Sequence, residues 1–127
     1  MTATTKTDLR KQFLFDVFTI ALEGGIDYWA VAEEYHHSND GIEDLEGFFA
    51  KVSDCEGDET FPDNSRIDKN IIIKGINKII NDNDLKINDK IRERIKEANR
   101  LSDAGMIDAN DADCIVQVGL FGELVFG

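Results

Sequence analysis

Ile26-Asp27-Tyr28-Trp29-Ala30-Val31-Ala32-Glu33-Glu34-Tyr35-His36-His37 follows a double glycine, Gly24-Gly25, and the chain is all-α or mixed according to whether this segment coils or extends. Helix propensity alone would permit a helix. Aromatic and β-branched side chains directly after a glycine pair favour a strand instead, because Tyr28, Trp29, Val31 and Tyr35 fit a half-buried pleated surface. A polar loop from Ser38 to Gly47 then leads to Phe48-Phe49-Ala50-Lys51-Val52, a second strand antiparallel to the first. The expected fold is α+β: a short antiparallel sheet packed against three or four helices, one compact domain over residues 1–127 with residues 1–6 flexible.

The helices follow from periodicity and caps. Thr5 or Thr7 can cap a first helix to about Glu23, with Leu9, Phe13, Val17, Ile20 and Ala21 in a stripe widened by Leu14, Phe18 and Leu22. Such a helix should be largely buried and stop at Gly24-Gly25, residues tolerant of positive φ. Asp68 caps a helix through about Ile80 that turns Ile72, Ile76, Ile79 and Ile80 to one side, with Gly75 costing about 1 kcal/mol against Ala. Asn88 or Asp89 opens a helix to about Leu101, with Ile91, Ile95 and Ala98 inward and Lys90, Arg92, Arg94 and Lys96 outward. Asp108 caps a last helix, Ala109 to Phe121, with Asp111 at the capping-box position. Its apolar residues surround it on nearly all sides, so it is central to the core or shared with a second subunit in a homodimer. The charged loop Asp54 to Asn64 has room for a short edge strand at Thr60-Phe61.

Composition bounds the function. Of 127 residues, 42% are hydrophobic and eight are Phe, which suffices for one core. No apolar run approaches the roughly 18 residues that span a bilayer, and MTATTKTDLRKQ lacks the apolar stretch of a secretory leader, so a cytoplasmic protein is expected. Cys55 and Cys114 read as free thiols in a reducing compartment. Asp54, Glu56 and Asp58 around Cys55 disfavour a thiolate, which argues against a nucleophile there.

The formal net charge of −12 is unevenly spread. Residues 31–64 hold eleven acidic side chains against Lys51 alone, residues 65–100 are net +4, and residues 101–127 carry five acids and no base. Such a field repels nucleic acid and anionic lipid and attracts a basic groove. Two alternatives stand beside that reading: a surface that merely solubilises, and a halophilic origin, which nine Lys among fourteen basic residues weaken.

Motifs for chemistry are sparse. A calcium loop begun at Asp54 places Glu56 and Asp58 correctly but puts Glu59 where glycine is required and Ser65 where the closing Glu belongs. His36 and His37, adjacent on a strand, point to opposite faces and cannot chelate zinc together. Glu23, Tyr28, Tyr35, His36 and Cys55 are generic catalytic candidates with no elbow, Walker loop or dinucleotide fingerprint, so neither an enzyme nor a cofactor or metal is expected. Tyr28 and Trp29 after the tight turn read as core aromatics or as a binding hot spot, and Gln117 in an apolar helix must find a partner.

Two stretches, Ala21-Leu22-Glu23-Gly24-Gly25-Ile26-Asp27-Tyr28-Trp29 and Asp108-Ala109-Asn110-Asp111-Ala112-Asp113 followed by Gln117-Val118-Gly119-Leu120-Phe121-Gly122-Glu123, resemble uncharacterised small acidic proteins of tailed phages and prophages. The resemblance implies a phage origin and no mechanism. The Asp-rich loop and the isoleucine-rich helix lie outside the shared pattern.

Together these features point to a non-catalytic accessory protein that inhibits a basic, nucleic-acid-binding host or defence protein through a DNA-mimic-like surface containing Glu33, Glu34, Glu43, Asp44, Glu46, Asp58 and Glu59. The alternative is a nucleotide-binding or sequestering protein using Glu23, Tyr28, Trp29 and Gln117 with Arg92 and Arg94.

Overall fold

Each helix begins where a short polar side chain takes up backbone N–H groups that the first turn leaves unpaired. In the computed structural model, which describes residues 5–55 and 65–127, Thr5 and Asp8 cap one another reciprocally at the start of α1 (Lys6–Ile20). Of the lead expected over residues 1–6, Thr5 and Lys6 form this capped helix start and residues 1–4 lie outside the described ones. Asp68 accepts from Ile71 N at the head of α2 (Lys69–Asn81), and Asn88 from Lys90 N at the head of α3 (Asp89–Leu101). Asp108 and Asp111 form the capping box of α4 (Ala109–Phe121).

Between α1 and α2 run β1 (Ala30–His36), β2 (Ser38–Asn39), β3 (Ile42–Glu43), β4 (Phe49–Asp54) and β5 (Ser65–Asp68). Strands β1, β4 and β5 form an antiparallel sheet in the order β1-β4-β5, and β2 pairs with β3 in a separate hairpin. The fold is α+β.

Several boundaries differ from the sequence expectation. The first helix ends at the expected glycine pair, but through a π-helical turn, Ala21–Gly25, that takes in both glycines, and Gly25 is buried where a Cβ would lie 2.8 Å from the Ala109 carbonyl oxygen. Close packing on α4, and not a positive φ, makes glycine fit there. Leu9 is exposed, so the buried face of α1 begins at Phe13. The first strand starts at Ala30, because Trp29 and Ala30 N–H groups both turn back to the Ile26 carbonyl. The polar loop after it holds the β2–β3 hairpin, closed by Asp40-Gly41 with φ of 52° and 82°. An Asp-Gly pair with both residues at positive φ is the twist-matched two-residue turn. After the charged loop the sheet closes on β5, one of its two edge strands, whose Ile67 lies opposite Ala50; Thr60 and Phe61 lie outside the described residues.

α4 is the axis of the core. Its residues from Asp111 to Gly119 are all buried, so its all-round apolarity is satisfied within one chain and does not require a second subunit. Gly75 of α2 and Gly119 of α4 bring these two helices together: a Cβ at Gly75 would overlap the Ile115 carbonyl oxygen, and one at Gly119 that of Ile71. Of the α3 cations expected outward, Arg92 and Arg94 are half-buried. Arg92 donates to the Asp82 and Leu85 carbonyls at 2.8 Å each, and Arg94 grips Asp111 through two bonds of 2.8 and 2.7 Å.

The two thiols differ sharply. Cys55 is exposed, whereas Cys114 is buried, and burial, with Asp113 and Asp111 adding to it, pushes its thiol up to about 12. A disulfide reagent at neutral pH should therefore label one thiol of the folded protein rapidly and the second only in denaturant, read by absorbance. Rapid labelling of both in the folded state would contradict this packing.

Candidate functional site

Residues directly opposite on antiparallel strands share a face of the sheet. Ala50 and Val52 of β4 face the helices and are fully buried. Tyr35 and Ala32 lie opposite them and face the same way, yet Tyr35 is 59% exposed and Ala32 is exposed too. Edge strand β1 thus overhangs α1. The space beneath is a groove of about 500 Å³, with Phe15, Phe18 and Leu22 on the helix side and Ala32, Tyr35 and His37 on the strand side. The Tyr35 and His37 rings stack at 5.4 Å and 9°.

Three carboxylates line the groove: Asp16, Glu23 and Glu43. Gln12 Nε2 donates to Asp16 Oδ1 at 2.8 Å and to Glu43 Oε1 at 3.4 Å, so a neutral amide, not a cation, bridges two acids. Among the described residues no Lys or Arg lines the groove or forms an ion pair with any of the three. Burial raises the Asp16 carboxyl above its ordinary value; the charge of Glu43 adds to this and the Gln12 bond opposes it. An apolar floor rimmed by unneutralised carboxylates suits an amphipathic cation, whose stem covers the rings while its head meets the acids.

The acids singled out from the sequence do not all join this groove. Glu33, at the bulge in β1, accepts from Ser53 Oγ at 3.0 Å on the opposite face of the sheet. Glu34 pairs with Lys51 at 3.4 Å on that same face, and Glu46 with Lys11 at 2.8 Å. Asp44 binds His36 Nε2 at 2.8 Å and the Gly47 N–H at 2.9 Å, bonds that hold its carboxyl below the usual range. Glu43 alone of the set lines the groove. Asp58 and Glu59 lie outside the described residues.

The residues of the alternative ligand site divide. Trp29 is buried and donates Nε1–H to Asp113 Oδ1 at 2.8 Å; Tyr28, half-exposed, donates its hydroxyl to Asp113 Oδ2 at 2.6 Å. Burial and then that bond raise the Tyr28 hydroxyl above its ordinary value. Gln117 Nε2 donates to Asp113 Oδ1 at 2.9 Å, while its Oε1 accepts from Val125 N and Phe126 N at 2.8 Å each. Phe126 stacks on Trp29 at 4.9 Å and 6°. This cluster binds the chain's own segment 122–127. Arg92 and Arg94 serve the bonds given above, and Glu23 lines the groove.

Asp16, Tyr35, His37 and Asp113 were not among the sequence candidates for binding. Asp16 carried a signal, being an acid within the apolar stripe of α1. No protein-family model, curated protein or solved structure matches the chain. Among the described residues no group of three His, Cys, Asp or Glu is placed to hold a metal ion, and no helix is long and apolar enough to cross a membrane.

Proposed function

We propose that this chain is a non-catalytic binding protein that takes a basic protein partner at the groove between α1 and β1. The observation that carries the reading is the set Asp16, Glu23 and Glu43 around an apolar floor with, among the described residues, no Lys or Arg lining it. Lys and Arg side chains that would fit there are those that nucleic-acid-binding proteins aim at phosphate, so an occupied groove competes with nucleic acid and inhibits the partner. The phage origin implied by the resemblance makes a host or defence protein the natural target. The longer acidic run steers the encounter, with an on-rate that falls as salt rises.

Asp16 makes the reading testable with a sign that a purely structural residue would not give. Its folded-state pKa is raised, so the folded protein holds the proton more tightly than the unfolded chain and loses stability as pH rises through that range. Asp16→Asn removes this penalty and keeps an acceptor for Gln12. The variant is expected to be at least as stable as wild type at neutral pH and to bind an arginine-rich peptide more weakly, by calorimetry. Glu43→Lys should abolish binding, and Glu46→Gln, which alters an acid already paired with Lys11, should change it little. Wild-type affinity should also begin to fall on acidification above the ordinary Asp range. No binding, or equal binding by wild type and Glu43→Lys, would remove the proposal.

A further inference from the structure

The same groove lies along an open sheet edge. The order β1-β4-β5 leaves β1 with a strand neighbour on one side only; the Ala30 N–H is taken by the Ile26 carbonyl, and among the described residues no backbone hydrogen bond fills that side from Val31 to His36. Edge strands are ordinarily blunted by Lys, Pro, shortness or a bulge. β1 has only one of these devices, the bulge between Ala32 and Glu34; it runs seven residues with neither Lys nor Pro and exposes Val31 and Tyr35.

Resting on the proposed basic partner, we infer that it binds by β-augmentation: an extended segment adds to the free edge of β1 as a fourth strand. Charge selects its sequence. Successive side chains of a strand point to opposite faces, so one residue of the added strand overhangs the groove acids Asp16 and Glu43, and the next reaches the other face, where Glu33 and Glu34 lie. The groove face is the more acidic of the two; on the other face Glu34 is already paired with Lys51 and Glu33 supplies the excess negative charge. The matching occupant carries Lys or Arg at neighbouring positions, with an apolar side chain beside Phe15 and Phe18. A second copy of β1 is a poor occupant, because it would set Glu33 and Glu34 against their own kind. The acids therefore guard the edge against self-association and admit a cationic strand.

The probe is an acetylated octapeptide mixing Lys and Arg with Val and Thr, in three forms: unmodified, and N-methylated at alternate residues in either of the two phases. A strand offers its hydrogen bonds to one neighbour through every second residue. One methylated isomer should bind like the parent and the other lose about tenfold or more, since several backbone bonds are removed together. Amides within residues 31–36 should gain hydrogen-exchange protection with the parent peptide. Two isomers that behave alike, in either direction, or β1 amides that gain no protection, would overturn the inference. If the parent still binds and Glu43→Lys still abolishes binding, only the strand mode has failed; if the parent does not bind, the basic-partner reading has failed as well.

Discussion

Gly75→Ala is expected to destabilise the protein by about 2 kcal/mol or more, against the sign that helix propensity alone would give. Alanine in a helix interior is favoured over glycine by about 1 kcal/mol. The added methyl, however, meets the Ile115 carbonyl oxygen and lies 3.2 Å from Gly119 N, both backbone atoms of the most buried helix. Backbone cannot swing aside like a side-chain tip, so α2 and α4 must separate along a contact that both bury completely, and repacking of that kind outweighs the propensity gain. Gly119→Ala should cost a similar amount through the Ile71 carbonyl. The double variant should cost less than the two together, because one separation accommodates both methyls, with a coupling on the order of 1 kcal/mol. Gly24→Ala is the control: nothing lies within 4 Å of that position, so the same substitution should stabilise by about 0.5 kcal/mol through the unfolded chain. Urea unfolding of the four variants decides it, and a neutral or stabilising Gly75→Ala would show that the helices do not approach as described.

What was legible in the sequence was local. Asp68, Asn88, Asp108 and Asp111 announce helix starts because a cap is satisfied within three residues of itself, and each performs that bond. The Asp40-Gly41 turn was equally local but went unread, because two-residue strands on either side show no alternation to frame it. β5 has one buried apolar residue, Ile67, and is a strand through its pairing with β4, not through its composition. The groove could not be read at all. Tyr35 and Ala50 must be brought face to face across the sheet before it is visible that one is covered and the other not. The charge run between residues 31 and 64 was plain, yet counting charges does not reveal that Lys11, His36 and Lys51 answer Glu46, Asp44 and Glu34. Asp113 stands two residues after a capping Asp, and its partners Tyr28 and Trp29 come from 85 and 84 residues away.

That distance is why removing the Asp113 carboxylate should be as damaging as crowding the helix pair. Asp113 is 4% exposed and accepts from Tyr28, Trp29 and Gln117. Asp113→Ala removes the carboxylate that the buried Trp29 N–H bonds and takes one of the bonds that orient Gln117, whose Oε1 holds Val125 and Phe126. Losing the hydrogen bonds of a buried carboxylate costs about 1–3 kcal/mol, and the vacated volume adds to it, so a loss of about 3 kcal/mol is expected. Asp113→Asn distinguishes lost hydrogen bonds from lost charge. Its oxygen can still accept from Trp29 and Gln117, and its amide can donate to Tyr28 once that hydroxyl turns round, so the loss should be about 1 kcal/mol. Because Trp29 is the only tryptophan, its emission reports this site alone: Asp113→Ala should shift it and speed quenching by acrylamide as the Phe126 ring lifts away, while Asp113→Asn should leave it near wild type. Equal losses in the two variants would mean that the negative charge, and not the set of bonds, is what the core requires at this position.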